Sequence, residues 1–261
     1  MGSVAKYIEG LLQRGQHHFT THEVANAVGG DINSIARALN RLKAKGELAT
    51  PKRGFYVAVP PEYRSLGCLP AEQFVPQLME SAEEPYHVAL LSAAQFHGAA
   101  HQRPQLFQVM VGKPRSSINC GKVHVTFHVR KDLVRVSIVE MKTIRGYMRV
   151  SSPEATALEL IGYARNAGGL NNVATVLSEL AESIVGERLV EEAEKAPLAW
   201  VQRLGFVLEL VEQRDAASKL LPLVQEHALR ISPLNASLPR TGAVRSKRWR
   251  LAINTRVEPD L

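Results

Sequence analysis

Between Ile32 and Gly54 the chain sets Arg37, Arg41, Lys43, Lys45, Lys52 and Arg53 against a single acid, Glu47. Arginine can donate twice to a guanine edge and asparagine can pair twice with adenine, so Arg37, Arg41 and Asn40 carry the groups that base readout needs. Ser34 and Arg37 are one helical turn apart, as are Arg37 and Arg41, so on a helix they share a face. Asn33 and Lys45 lie near the two ends of that helix, away from the apolar stripe Ile35, Ala38, Leu39 and Leu42. Lys52 and Arg53 fall in the tip Pro51-Lys52-Arg53-Gly54, where they would meet phosphate or a minor groove and add salt-dependent affinity without reading sequence. Many basic helix faces are merely solvated, and Lys43 and Lys45 also suit the C-terminal end of a helix dipole. The scarcity of acids and the hairpin that follows favour nucleic acid.

Other constellations point to different chemistry. His97 and His101 are four apart on an expected helix, the separation that lets two imidazoles share a metal, but no third ligand accompanies them. His124 and His128 share a strand face yet stand about 13 Å apart along it, too far to chelate one ion. Asp132 with Glu140 and Lys142 has the residue types of a magnesium-dependent nuclease: carboxylates for the ion and a lysine for the attacking hydroxide. The competing reading of Glu-x-Lys is a common surface pair on a strand end. Glu154 and Glu159 read as capping and solvation, the acidic stretch GERLVEEAEKA as a solvent face, and Cys68 and Cys120 as small core or loop residues. Arg245, Lys247, Arg248 and Arg250, with Arg240 before them, flank Trp249. They read either as a second anion-facing patch or as charges protecting a strand edge. No phosphate-cradling glycine loop, serine elbow or zinc ribbon occurs, so the expectation is a protein that is not an enzyme and takes no cofactor or metal.

The elements that must position the basic residues are legible in the pattern. Val4, Tyr7, Ile8, Leu11 and Leu12 predict an amphipathic helix ending near Gly15. Thr20 or Thr21 can cap a second helix with Val24, Ala25 and Val28 facing inward, broken by Gly29-Gly30. Asp31 or Asn33 can cap the third, and Gly46 ends it. ELAT then pairs with GFYVAVP across the basic tip, and Pro60-Pro61 stops the strand. Three short helices and a two-stranded wing form the layout of a winged helix-turn-helix, whose last helix enters the major groove. The stretch EYHVALLSAAQFHGAAHQ reads as a helix beginning near Tyr86. QLFQVMVGK, KVHVTFHVR and LVRVSIVEM read as strands, with KPRSSINCGK as the turn between the first two. Ser-Ser-Pro-Glu at 151–154 is a strong helix start, with a capping hydroxyl and proline in the first turn. The expected organisation is α+β: a winged helix over 1–60, then a mixed α/β domain over 61–261 that is sheet-rich at 85–150, helical at 151–231 and closed by a strand at 249–254.

The totals fit this plan. The 261 residues carry a formal charge of +7, with 45% hydrophobic and 22% charged residues, and the pI of about 9.5 favours an anionic partner. No apolar run approaches the roughly 18 residues that span a bilayer. Two widely spaced cysteines suit a reducing compartment, so the expected location is the cytoplasm.

The whole chain resembles the AbiEi-type antitoxins, the transcription-regulating members of AbiE-like type IV toxin–antitoxin pairs. The resemblance rests on the N-terminal helices and hairpin ending in RGFYV, on LLSAAQFHGAAHQRPQLFQVMV, on RVSSPEATALELIGYAR, on QRLGFVLEL and on the terminal WRLAINTRV, taken in that order. Where the family pattern often has Leu after His-Gly, this chain has Ala99. The resemblance implies a repressor that binds repeats in its own promoter through the N-terminal domain. It also implies that the C-terminal domain counteracts a nucleotidyltransferase-like toxin, with or without a direct complex. A magnesium-dependent nuclease, or a plain winged-helix transcription factor with a ligand-binding or dimerisation domain, remain the alternatives.

Overall fold

The computed structural model describes residues 3–99 and 105–260, and the chain is a mixed α+β protein. It divides into two compact units. One runs through Tyr86 and takes in Gln105–Lys131 and Glu140–Arg149; the other begins at His87 and holds the rest. Pro60 lies inside the first unit.

The first unit opens with α1 (Val4–Gln13), whose N-terminus is capped by the Ser3 side chain and whose Val4, Ile8 and Leu11 are buried at helical spacing. A three-residue strand, β1 (His18–Thr20), leads directly into α2 (Thr21–Val28). Thr20 closes a capping box: its hydroxyl accepts from the Glu23 backbone at 3.2 Å while Glu23 Oε2 accepts from the Thr20 backbone at 2.6 Å. Next come α3 (Ile32–Ala44), β2 (Leu48–Lys52) and β3 (Phe55–Ala58). The sheet order is β1-β3-β2, antiparallel throughout, with Phe19 opposite Tyr56 and Ala49 opposite Val57. Phe19, Val24, Ile35, Leu39 and Leu48 close one core under the three helices. β1 was not expected, because three residues are too few to show alternation; Phe19, 1% exposed, is what anchors it.

Two segments differ from the sequence reading here and at the start of the second unit. The helix expected from Tyr86 is instead a strand, β4 (Tyr86–Val88), then α5 (Leu90–Phe96), after α4 (Val75–Glu80). All three β4 residues are buried, and a short fully buried strand has no period that separates it from helix. Leu90 at φ 54° makes the break. After β5 (Phe107–Val111), the expected turn holds an edge strand, β6 (Ile118–Cys120), which turns at Gly121-Lys122 into β7 (Val123–Val129). β6 and β7 are therefore antiparallel, and β5 and β7 run parallel from Phe107↔Val125 to Val111↔Val129. With β8 (Ile138–Thr143) and β9 (Gly146–Ser151), the order is β6-β7-β5-β4-β9-β8.

The second unit is built on α6 (Pro153–Gly162), α7 (Gly169–Leu180), α8 (Gly186–Glu194), α9 (Leu198–Leu210) and α10 (Arg214–His227). Ser152 caps α6 and Pro153 occupies its first turn, as Ser-Pro-Glu predicts. Three acids on these helices are buried, contrary to the sequence reading, whereas Glu187, Glu191 and Glu194 of the acidic stretch on α8 are exposed, as that reading has it. Glu154 and Glu159 are 3% and 0% exposed because α6 is buried on every side. Glu154 Oε1 accepts from the Val185 backbone at 3.0 Å, and Glu159 Oε1 lies 2.8 Å from His87 Nε2. Glu192 on α8 is also buried, accepting from the Ser137 hydroxyl at 2.6 Å and from Lys195 Nζ at 2.9 Å. The chain ends in β10 (Ser232–Pro233), β11 (Val244–Ser246) and β12 (Leu251–Ile253), in the order β10-β12-β11. Trp249 precedes β12 and packs on Gly205 of α9, where an added Cβ would lie 2.1 Å from the indole.

Candidate nucleic-acid interface

Each α-helical residue turns the chain by about 100°, so Asn33, Arg37, Asn40 and Arg41 fall within roughly 100° of one another, opposite the buried Ile35 and Leu39. Ser34 and Lys45 lie on the flank of the same face. All six are exposed. The helix start is organised by Asp31, which caps it: Oδ2 accepts from the Ser34 backbone at 3.0 Å and from its hydroxyl at 3.2 Å, and Asn33 Nδ2 reaches Oδ1 at 3.5 Å. Arg37 Nη2 in turn donates to the Ser34 hydroxyl oxygen at 3.1 Å. The backbone N–H of Asn33, then the groups of Ser34 and the charge of Arg37, hold the Asp31 carboxyl below the usual carboxylate range. Asp31 thus stays ionised, and the chain Asp31–Ser34–Arg37 holds the guanidinium along the exposed face before any ligand arrives.

The hairpin supplies the second part. Lys52 is the last residue of β2, paired with Phe55, and the loop is the two residues Arg53-Gly54, so Pro51 belongs to the strand rather than to the turn. Gly54 has φ 84°, a conformation that favours glycine. Its carbonyl accepts from the Thr21 backbone at 3.0 Å, which ties the tip to the start of α2. Lys52 and Arg53 are both exposed.

Arg245, Lys247, Arg248 and Arg250 are exposed as well. Trp249 between them is 1% exposed and donates from Nε1 to Glu209 Oε2 at 2.7 Å, so it offers no face on which a base could stack. Arg248 is engaged by Glu209 Oε1 at 2.6 Å and lies 5.9 Å from the indole centroid. The basic run is therefore partly tied to its own fold.

The remaining sequence candidates are dispersed. His97 Nε2 lies 2.7 Å from the Ser151 carbonyl, and His101 is outside the described residues. His124 pairs with Asn119 at 2.7 Å. Asp132 belongs to the second unit, Glu140 and Lys142 to the first. Among the described residues no three His, Cys, Asp or Glu side chains converge as a metal site requires. The sequence reading missed the buried His87–Glu159 pair. Its signal was present: an acid inside the apolar run Leu158-Glu159-Leu160-Ile161 must find a partner when that helix is buried.

Burial lowers the pKa of His17, His18 and His97; Arg145 adds to the effect at His17, while the Ser151 carbonyl and Glu154 oppose it at His97. With folded values depressed, the unfolded chain takes up these protons first. Their contribution is complete above about pH 6.5 and is lost as pH falls through that value toward the folded pKa values. Thermal melts are expected to show a lower midpoint at pH 5.5 than at pH 7.5; a flat or rising midpoint would contradict this.

The described site belongs to a recognisable class: an α+β protein with an exposed basic helix and a basic hairpin tip in its N-terminal unit. Residues 87–210 match the family model of the AbiEi antitoxin C-terminal domain, so the chain carries an antitoxin domain of toxin–antitoxin systems, and an antitoxin implies a toxin as its counterpart. The match begins at His87, where the second compact unit begins. The fold is similar to that of the crystal structure of the Rv2827c protein from Mycobacterium tuberculosis. The TM-score is 0.68 and the identity 16%, over 95% of this chain and 90% of that one. No curated protein matches the chain. Among the described residues no helix is long and apolar enough to cross a membrane.

Proposed function

We propose that residues 1–60 form a winged helix-turn-helix, and that the protein is a DNA-binding repressor acting as the antitoxin of a type IV toxin–antitoxin pair. In this reading α3 lies in the major groove of repeats in its own promoter. Arg37, Asn40 and Arg41 read base edges, Asn33, Ser34 and Lys45 border them, and Lys52 and Arg53 hold flanking phosphate. The remainder, residues 61–261, counteracts a nucleotidyltransferase-like toxin in the cytoplasm without a catalytic step of its own. The observation that carries the DNA half is the exposed Arg37–Arg41 face, with Arg37 already held by Ser34. The antitoxin domain matched over 87–210 supports the other half.

The two halves separate in one experiment. A nucleotidyltransferase-like toxin, taken from the neighbouring gene if that gene encodes one, is induced in cells that carry a reporter behind this protein's own promoter. Co-expression of the chain is expected to restore growth and silence the reporter. A Arg37→Ala/Arg41→Ala variant is expected to keep the rescue and lose the silencing. Growth arrest that the intact chain does not relieve would remove the antitoxin reading.

A further inference from the structure

Cys68 and Cys120 are distant in sequence and match no metal spacing, yet the first unit brings them together. The Lys122 backbone donates to the Leu66 carbonyl at 2.7 Å. Beside that bond the backbones of Gly67 and Gly121 touch: a Cβ built on Gly121 would lie 2.8 Å from Gly67 Cα and 2.1 Å from the Leu66 oxygen. Each cysteine is the chain neighbour of one of these glycines, and both are buried, Cys68 fully and Cys120 to 7% exposure. The pairing of Leu66 with Lys122 and of Gly67 with Gly121 runs antiparallel, which sets Cys68 opposite Cys120. No side chain at Gly67 or Gly121 holds the two segments apart.

We infer that Cys68 and Cys120 are a dithiol that a peroxide oxidises to an intramolecular disulfide. The two sulfurs are not equivalent. The neighbouring Cys68 thiol lowers the Cys120 pKa, burial opposes it, and the Thr50 backbone and the charge of Lys43 assist it. The neighbouring Cys120, together with burial, raises Cys68. Cys120, 7% exposed where Cys68 is fully buried, is the sulfur a peroxide reaches first and acts as the nucleophile, with Cys68 the resolving thiol. The Cys120 thiolate attacks one peroxide oxygen and the O–O bond breaks. The departing hydroxide takes up the proton lost by Cys120 and leaves as water, with a sulfenic acid on Cys120. The Cys68 sulfur then attacks Cys120 Sγ; the S–S bond forms, the S–O bond breaks, and the hydroxide takes the Cys68 proton to leave as a second water. Two thiols lose two electrons and two protons, and hydrogen peroxide receives both. In a reducing compartment the pair rests as the dithiol and closes only under oxidant. The crosslink would join the Leu66–Leu69 segment to β6, which packs on β2, the strand that ends at Lys52.

The test uses the full folded chain, hydrogen peroxide and intact-mass measurement. The expected product is one chain lighter by two hydrogen atoms, with both free thiols lost, the Cys68 and Cys120 peptides linked in a digest, and full reversal by dithiothreitol. In Cys68→Ser, Cys120 should instead be trapped by dimedone as the sulfenic acid; in Cys120→Ser, Cys68 should remain unlabelled. Three results overturn the inference: no loss of thiols in the folded wild type, separate oxidation of the two cysteines to sulfinic acids, or a crosslink between two chains. None depends on whether the protein binds DNA.

Discussion

Replacing Arg37 with Ala is expected to weaken binding to DNA from upstream of the protein's own gene by about 5- to 150-fold, corresponding to roughly 1–3 kcal/mol. Binding to random DNA should change far less. The difference arises because a guanidinium that donates twice to guanine distinguishes bases, whereas one that meets phosphate does not. Arg37 lies on the exposed face of α3, where its Nη2 donates to the Ser34 hydroxyl oxygen. Lys52→Ala supplies the contrast. It should weaken specific and random DNA alike and lower the slope of log affinity against log salt by about 1. Isothermal titration of each variant against both duplexes separates the roles, and equal losses for Arg37→Ala on the two duplexes would remove it from base readout.

The second large effect lies in the antitoxin domain. Glu159→Ala is expected to destabilise the protein by about 1–3 kcal/mol in urea denaturation, the usual consequence of leaving a buried polar group without its hydrogen-bond partner. His87 and Glu159 have side-chain exposures of 1% and 0% and stand 2.8 Å apart, so water cannot replace the lost group. A solvated acid at the same position would contribute within about 0.5 kcal/mol. Glu159→Gln keeps the size and a hydrogen-bonding oxygen, and should fall between the wild type and Glu159→Ala. Replacing both residues with Leu should recover part of the loss, because two apolar groups leave no buried polar group without a partner. A loss below about 1 kcal/mol for Glu159→Ala would show that the pair is not a structural element of the domain.

These two predictions also mark where the sequence could be read and where it could not. The α3 face was legible because Ile35 and Leu39 repeat with the helical period and the charges fall between them. Ser152 and Pro153 were legible as a helix start because capping is local chemistry. Several strands were not legible, β1, β4 and β6 among them. β1 and β6 are three residues each, β4 is three residues buried on both faces, and such lengths show neither alternation nor period. Glu154, Glu159 and Glu192 were misplaced because whether an acid on a helix meets water depends on which other segments cover that helix. Glu159 answers to His87 and Glu192 to Ser137, partners far away in sequence. The approach of Cys68 to Cys120 has the same origin: it follows from backbone contact between Gly67 and Gly121.

In the proposed function, the basic face of α3 and the hairpin tip recognise DNA near the protein's own gene. Fluorescence anisotropy on a duplex from that upstream region, with a scrambled duplex as control, tests it across a salt series. Tighter binding to the upstream duplex is expected, with affinity falling log-linearly as salt rises. Equal weak binding to both duplexes, or affinity insensitive to salt, would contradict it.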